Sequence, residues 1–141
     1  EVSIARQEMV AYEYDEPVMT LKVSTGVPSA KREGVIPTST PTGRYNIQNK
    51  VPSHHMGEGQ LTSDPDAYEF PGTPWCSYFI PETGVAFHGA YWHDNFGMTM
   101  SHGCVNMPCD KAKWLFRWVK PVIYDDMKRE NIGFGTTVVV S

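Results

Sequence analysis

Apolar residues fall along this chain in short runs broken by turn-forming residues, the pattern of strands rather than of long helices. Met9-Val10-Ala11-Tyr12-Glu13-Tyr14 and Val18-Met19-Thr20-Leu21-Lys22-Val23 flank Asp15-Glu16-Pro17, so Ser3 to Val23 predicts two strands around a turn. Ser24-Thr25-Gly26 ends the second of them, and Thr40-Pro41-Thr42-Gly43 turns into a strand over Arg44-Tyr45-Asn46-Ile47-Gln48. Val51 to Pro74 is polar and rich in Gly, Pro, Ser and Asp, and reads as a long loop or lid. Trp75 to Ile80 and Gly84 to His88 predict two core strands joined at Pro81-Glu82-Thr83-Gly84, and Gly135 to Val140 predicts a final strand.

One segment changes period. After Pro108-Cys109-Asp110, with Asp110 as N-cap, Ala112, Leu115, Phe116 and Val119 recur at helical spacing, and Pro121 stops the run. Trp114 and Trp118, one turn apart, read as packing against the sheet. No internal repeat or second domain is visible. The 12 glycines and 11 prolines are scattered, which again favours strands and turns.

Composition narrows the function more than the fold. With 141 residues the chain is one domain able to bury a core. A net charge of −4 and no basic cluster longer than Lys31-Arg32 or Lys128-Arg129 argue against nucleic acid as a partner. No apolar run approaches the ~20 residues that span a bilayer. The chain begins at Glu1 and is read as a portion of a longer protein. Three cysteines are too few for a disulfide framework; Cys76 and Cys109 either pair or, on the reading favoured here, stand as two small, partly buried thiols.

The third, Cys104, sits in Ser101-His102-Gly103-Cys104-Val105-Asn106, downstream of His88-Gly89. A thiol needs a base or a positive field to become a nucleophile, and histidine is the side chain whose pKa suits that task. Gly103 leaves the backbone before the sulfur free to take unusual dihedrals. The N–H groups of Gly103 and Cys104 are the obvious donors to a developing oxyanion. Two histidines compete as base: His102 is two residues away, whereas His88 ends a core strand where its geometry can be held. No Asp or Asn is clearly placed as a third member; Asp94 and Asn95 are candidates by closeness only. Two other classes stand beside the nucleophile. His88, His93, Asp94, His102 and Cys104, with His54-His55, have zinc-ligand chemistry, as in a zinc-dependent hydrolase, but their spacing matches no common zinc pattern. A non-catalytic binding module would leave Cys104 inert.

These motifs resemble the L,D-transpeptidase catalytic domain, or YkuD domain, of bacterial cell-wall enzymes. The family pattern of His-Gly or His-Ser, a spacer, then Ser/Thr-His-Gly-Cys, a hydrophobic residue and Asn or Arg is met by His88-Gly89 and Ser101 to Asn106. Val23-Ser24-Thr25-Gly26 and Thr40-Pro41-Thr42-Gly43-Arg44-Tyr45 match further strand ends, so the resemblance spans about Ser3 to Val140. It implies a mostly β fold, a sandwich of mixed sheets with one main helix following the active-site cysteine, over a single domain 1–141 trimmed from a longer secreted or membrane-anchored protein.

The resemblance also implies roles. Cys104 would be the nucleophile, His88 the general base, and the Gly89 carbonyl the group that orients His88. Ser101, His102 and Asn106 would shape the substrate site, with Tyr78, Tyr91 and Trp92 as aromatic walls. The implied partners are peptidoglycan tetrapeptide stems, as donor and acceptor, and carbapenem-type inhibitors. No cofactor is implied, and the expected location is extracytoplasmic, at the bacterial wall. The reaction would be cross-linking through a cysteine thioester with release of D-Ala, or hydrolysis as a carboxypeptidase.

Overall fold

A computed structural model of the chain describes residues 1–29, 37–57, 69–122 and 135–141. Among them are nine strands and one helix: β1 (Val2–Ser3), β2 (Glu8–Glu13), β3 (Glu16–Lys22), β4 (Gly43–Asn46), β5 (Asn49–Gly57), β6 (Glu69–Ile80), β7 (Val85–Gly89), β8 (Val105–Met107), α1 (Cys109–Trp118) and β9 (Thr137–Val140). They form two sheets, ordered β3-β2-β1-β9-β4 and β5-β6-β7-β8. Each is antiparallel except for one parallel pair, β1 with β9 and β7 with β8. The expected mixed-sheet sandwich is therefore present.

The core lies between the sheets. Val2, Met9, Val138 and Val140 from the first meet Phe79, Phe87, Val105 and Met107 from the second, and Ala112, Leu115 and Val119 of the helix side close the layer. Phe79 is fully buried, with its ring 5.1 Å from Phe87 and 5.6 Å from Tyr45. Strand alternation then sends the intervening residues of the second sheet to its other face. Cys76, Tyr78 and Ala86 form a smaller buried cluster there, and it is on this face that the chemistry collects.

The structure departs from the sequence reading in three places. The β2–β3 turn is Tyr14-Asp15, both at positive φ (49° and 65°), the geometry of a tight two-residue hairpin. Pro17 belongs to β3, an edge strand, where a missing N–H costs no ladder bond. Asp110 is not the N-cap: the helix starts at Cys109 after Pro108, with no side-chain cap, and Asp110 lies in the first turn beside Lys111. The expected loop from Val51 to Pro74 is largely the two arms of a long hairpin, with Val51 opposite Cys76 and Met56 opposite Phe70. Those arms are polar because much of their surface is exposed, so composition imitated a loop. Residues 58–68 of that expected lid lie outside the described residues.

The helix end is tied to β5 by a buried lysine. Lys50 Nζ donates to the Val119 and Pro121 carbonyls, both at 2.9 Å, and lies 4.8 Å from the centre of the Phe116 ring. Unpaired carbonyls at a helix C-terminus attract a cation. Burial, with Lys120 nearby, lowers the ammonium to about 8. Trp118 packs on the core and stacks with Trp114 at 5.5 Å, but Trp114 itself is exposed rather than set against the sheet.

Two isolated bridges join the segment after β3 to β8 and to the loop before it: Ser24 with Asn106, and Gly26 with Ser101. At Gly26 the approach is so close that a Cβ would stand 1.9 Å from the Thr38 oxygen, 2.7 Å from the Thr40 nitrogen and 2.9 Å from the Gly103 nitrogen. All three are backbone atoms, which cannot rotate away. Gly26→Ala is expected to destabilise the fold by about 1–3 kcal/mol, the usual cost of overpacking, measured by urea denaturation. A change within the noise of a surface substitution would show that this junction yields freely.

Candidate active site

β7 alternates strictly. Val85 and Phe87 enter the core, which turns His88 to the opposite face, where it is only 2% exposed. The parallel register pairs Phe87 with Val105 and His88 with Asn106. Carried back one residue, it brings Cys104 beside Ala86, on the face that carries His88. Two elements far apart in sequence thus deliver an imidazole and a thiol to one surface.

The imidazole is fixed. His88 Nδ1 lies 3.0 Å from the carbonyl oxygen of Gly89, its own neighbour. A carbonyl only accepts, so Nδ1 carries the proton and Nε2 keeps its lone pair. Burial pushes the ring down from its ordinary 6.5 to about 4; the Gly89 bond opposes that shift and nearby His93 adds to it. The Cys104 thiol is pushed up by burial to about 11, and its S–H donates to the Gly84 carbonyl at 3.4 Å. The resting pair is therefore neutral on both sides, a thiol and an imidazole rather than a thiolate and an imidazolium.

The loop that presents Cys104 is held from within and from below. Gly103 has φ +124°, a backbone that side-chain-bearing residues rarely adopt. Ser101 Oγ donates to the Cys104 carbonyl at 2.5 Å and accepts from the Gly103 N–H at 3.1 Å. Thr40 Oγ1 donates to the Gly103 carbonyl and accepts from the Gly26 N–H, both at 2.8 Å. The upstream Ser-Thr-Gly and Thr-Pro segments are thus the cradle of this loop.

These contacts revise several assignments. The Gly103 N–H is committed to Ser101, so of the two backbone donors expected for an oxyanion, the Cys104 N–H is the one left as candidate. Ser101 and Asn106 are each 2% exposed and brace the site from behind. The Asn106 amide lies 3.0 Å from His93 Nε2 (Nδ2···Nε2), and its backbone exchanges two hydrogen bonds with Ser24. Asn95 donates its N–H to His93 Nδ1, so it serves His93 and not His88. His93 is a residue that sequence reasoning had placed only among zinc-ligand types, and its spacing to Asn106 carries no recognisable signal.

On the surface, Tyr78, His102 and Cys104 line one cleft of about 480 Å³, together with Asn49, His54 and His55 from β5. Trp92 and Tyr91 lie toward β6 instead. Trp92 stacks on Phe70 at 4.0 Å and is 5.7 Å from His88 between ring centres, and Tyr91 donates its hydroxyl to the Pro71 carbonyl. All three cysteines are free. Among the described residues, no group of three or more His, Cys, Asp or Glu side chains converges to hold a metal ion, and no helix is long and apolar enough to cross a membrane.

Against known proteins, the YkuD family model, the L,D-transpeptidase catalytic domain, matches residues 1–140. No curated protein matches the sequence closely enough to count as a relative. Among solved structures, an L,D-transpeptidase from Mycobacterium smegmatis aligns with TM-score 0.74 at 23% identity, over 99% of this chain and 56% of that one. LdtMt1, solved in complex with imipenem, aligns with TM-score 0.73 at 24% identity over the same shares, 99% and 56%. The catalytic domain of the Enterococcus faecium L,D-transpeptidase aligns with TM-score 0.68 at 24% identity, over 99% of this chain and 93% of that domain. The chain spans little more than half the length of the first two. With the family model covering nearly every residue and the fold shared over 99% of the chain, this protein belongs to the L,D-transpeptidase catalytic domain family.

Proposed function

We propose that this chain cross-links peptidoglycan stem peptides as an L,D-transpeptidase, with Cys104 as nucleophile and His88 as its base. The observation that carries the reading is the tautomer of His88: Nδ1–H is spent on the Gly89 carbonyl, so the basic Nε2 belongs to the face where Cys104 stands. The Cys104 proton passes to Nε2, and the sulfur attacks the carbonyl between diaminopimelate and the terminal D-Ala of a tetrapeptide. The Cys104 N–H meets the oxyanion, His88 returns its proton to the departing D-Ala amine, and a thioester remains. An amine of a second stem then takes the acyl group, or water does so in a carboxypeptidase reaction. The main core, shared by both sheets and the helix, supports one catalytic domain, and the family's substrate supports an extracytoplasmic setting at the wall.

The imipenem complex of LdtMt1 supports a β-lactam test of the nucleophile. Incubation with a carbapenem should give one stoichiometric adduct by intact mass, lost in Cys104→Ala without loss of fold. An adduct retained in that variant would remove Cys104 from the role.

The neutral state of His88 has a thermodynamic consequence. The ring titrates near 4 when folded and near 6.5 when unfolded, so between those values the unfolded chain binds more protons. The contribution of a buried neutral His88 is fully present above pH 6.5 and is lost as pH falls toward 4. Urea denaturation should show stability dropping over that window, with a shallower drop in His88→Asn. An identical pH slope in the two proteins would mean that His88 is not buried neutral.

A further inference from the structure

The cross-linking reaction has a proton imbalance that His88 alone does not cover. An acceptor amine arrives as an ammonium and must lose one proton before it has a lone pair, and a second after it attacks. His88 is sealed from solvent and is occupied with the proton that shuttles to and from Cys104. A second basic group on the same cleft is called for.

β5 supplies one. His54 is an exposed imidazole on the cleft that Cys104 lines, and its Nδ1 is hydrogen-bonded to the Tyr78 hydroxyl. The Tyr78 hydroxyl holds the ring at Nδ1. In the tautomer that this task requires, Nδ1 carries the ring proton and donates to the Tyr78 oxygen, and Nε2 is the basic atom. The neighbouring His55 is paired with Glu69, and His102 has an interaction of its own.

We propose that His54 is the base that deprotonates the acceptor ammonium, held for that task by Tyr78; the assignment rests on the transpeptidase reading above. His54 Nε2 takes one proton from R–NH3⁺, giving R–NH2 and an imidazolium. The amine nitrogen bonds to the thioester carbonyl carbon, and its second proton passes through His88 to the Cys104 sulfur as the C–S bond breaks. The His54 imidazolium then releases its proton to solvent, which its exposure allows.

The test compares two nucleophiles on the same acyl-enzyme, formed from a peptidoglycan tetrapeptide donor. Diaminopimelate is an ammonium at pH 7, and hydroxylamine is largely uncharged. His54→Asn keeps a polar group near the Nδ1 position for Tyr78 but has no basic atom. It should acylate within about 2-fold of the parent, lose transfer to diaminopimelate on the order of 10²-fold, and keep transfer to hydroxylamine within about 2-fold. Tyr78→Phe should show the same selectivity to a smaller degree, and long-range ¹H–¹⁵N spectra of the parent should show His54 protonated at Nδ1. Equal losses with both nucleophiles, an unchanged diaminopimelate rate, slowed acylation, or a selective loss in His102→Asn instead would each overturn the assignment. A parent that forms no acyl-enzyme, or transfers to neither nucleophile, would overturn the transpeptidase reading and this proposal with it.

Discussion

The approach of the backbone at Gly26 to the loop carrying Cys104 is the contact on which the site depends. Because there is no side chain at 26, the segment after β3 can lie with its backbone against Thr38, Thr40 and Gly103. That proximity lets Thr40 accept from one strand end and donate to the Gly103 carbonyl. It also lets Ser24 pair with Asn106 and Gly26 with Ser101. The unusual backbone at Gly103 is then determined from two sides, by Thr40 outside the loop and by Ser101 inside it. Gln7 adds a third tier: its amide nitrogen donates to Thr25 Oγ1 at 2.6 Å, and its amide oxygen accepts from the Thr25 N–H at 2.8 Å. A strained loop persists only when its surroundings over-determine it, and here three separate segments do so.

On the proposed mechanism, a rigid loop offsets resting charges that are unfavourable for reaction. Desolvation raises the thiol and lowers the imidazole, so both are neutral before substrate arrives. An ion pair at rest would hydrate and react with whatever reached it, whereas a neutral pair held in place needs only the proton transfer that the attack itself drives.

How much of this was legible in the sequence follows from the range of the interactions. Cys104, Gly103 and His88 stood out because their chemistry is written in neighbouring residues, and the core strands β6 and β7 because their apolar runs are short and bounded by turns. The helix was legible from its apolar spacing, but not its start, since Asp110 has the residue type of a cap and sits one position inside the helix. The β5–β6 arms were hidden because Pro52, Pro71, Gly72 and Pro74 mark loops locally, while the pairing that makes them strands lies across the hairpin. Ser101 and Asn106 were recognised as shaping the site, but their burial was not legible, because it depends on Ser24, Gly26 and His93, elsewhere in the chain. His54 and His55 were visible only as metal-ligand types; their actual partners, Tyr78 and Glu69, are set by hairpin register.

That register also separates two imidazoles that the sequence made look alike. His88 and His54 each hydrogen-bond through Nδ1 to an oxygen, the Gly89 carbonyl for one and the Tyr78 hydroxyl for the other. They differ in access: His88 is 2% exposed and His54 is exposed. A sealed imidazole suits a proton that must return to the same pair of reacting atoms, because water cannot intercept it. An open imidazole suits a proton that must leave the site altogether. Central β7 produces the first environment and edge strand β5 the second, so the position of a strand in its sheet decides how far its histidine is open to water.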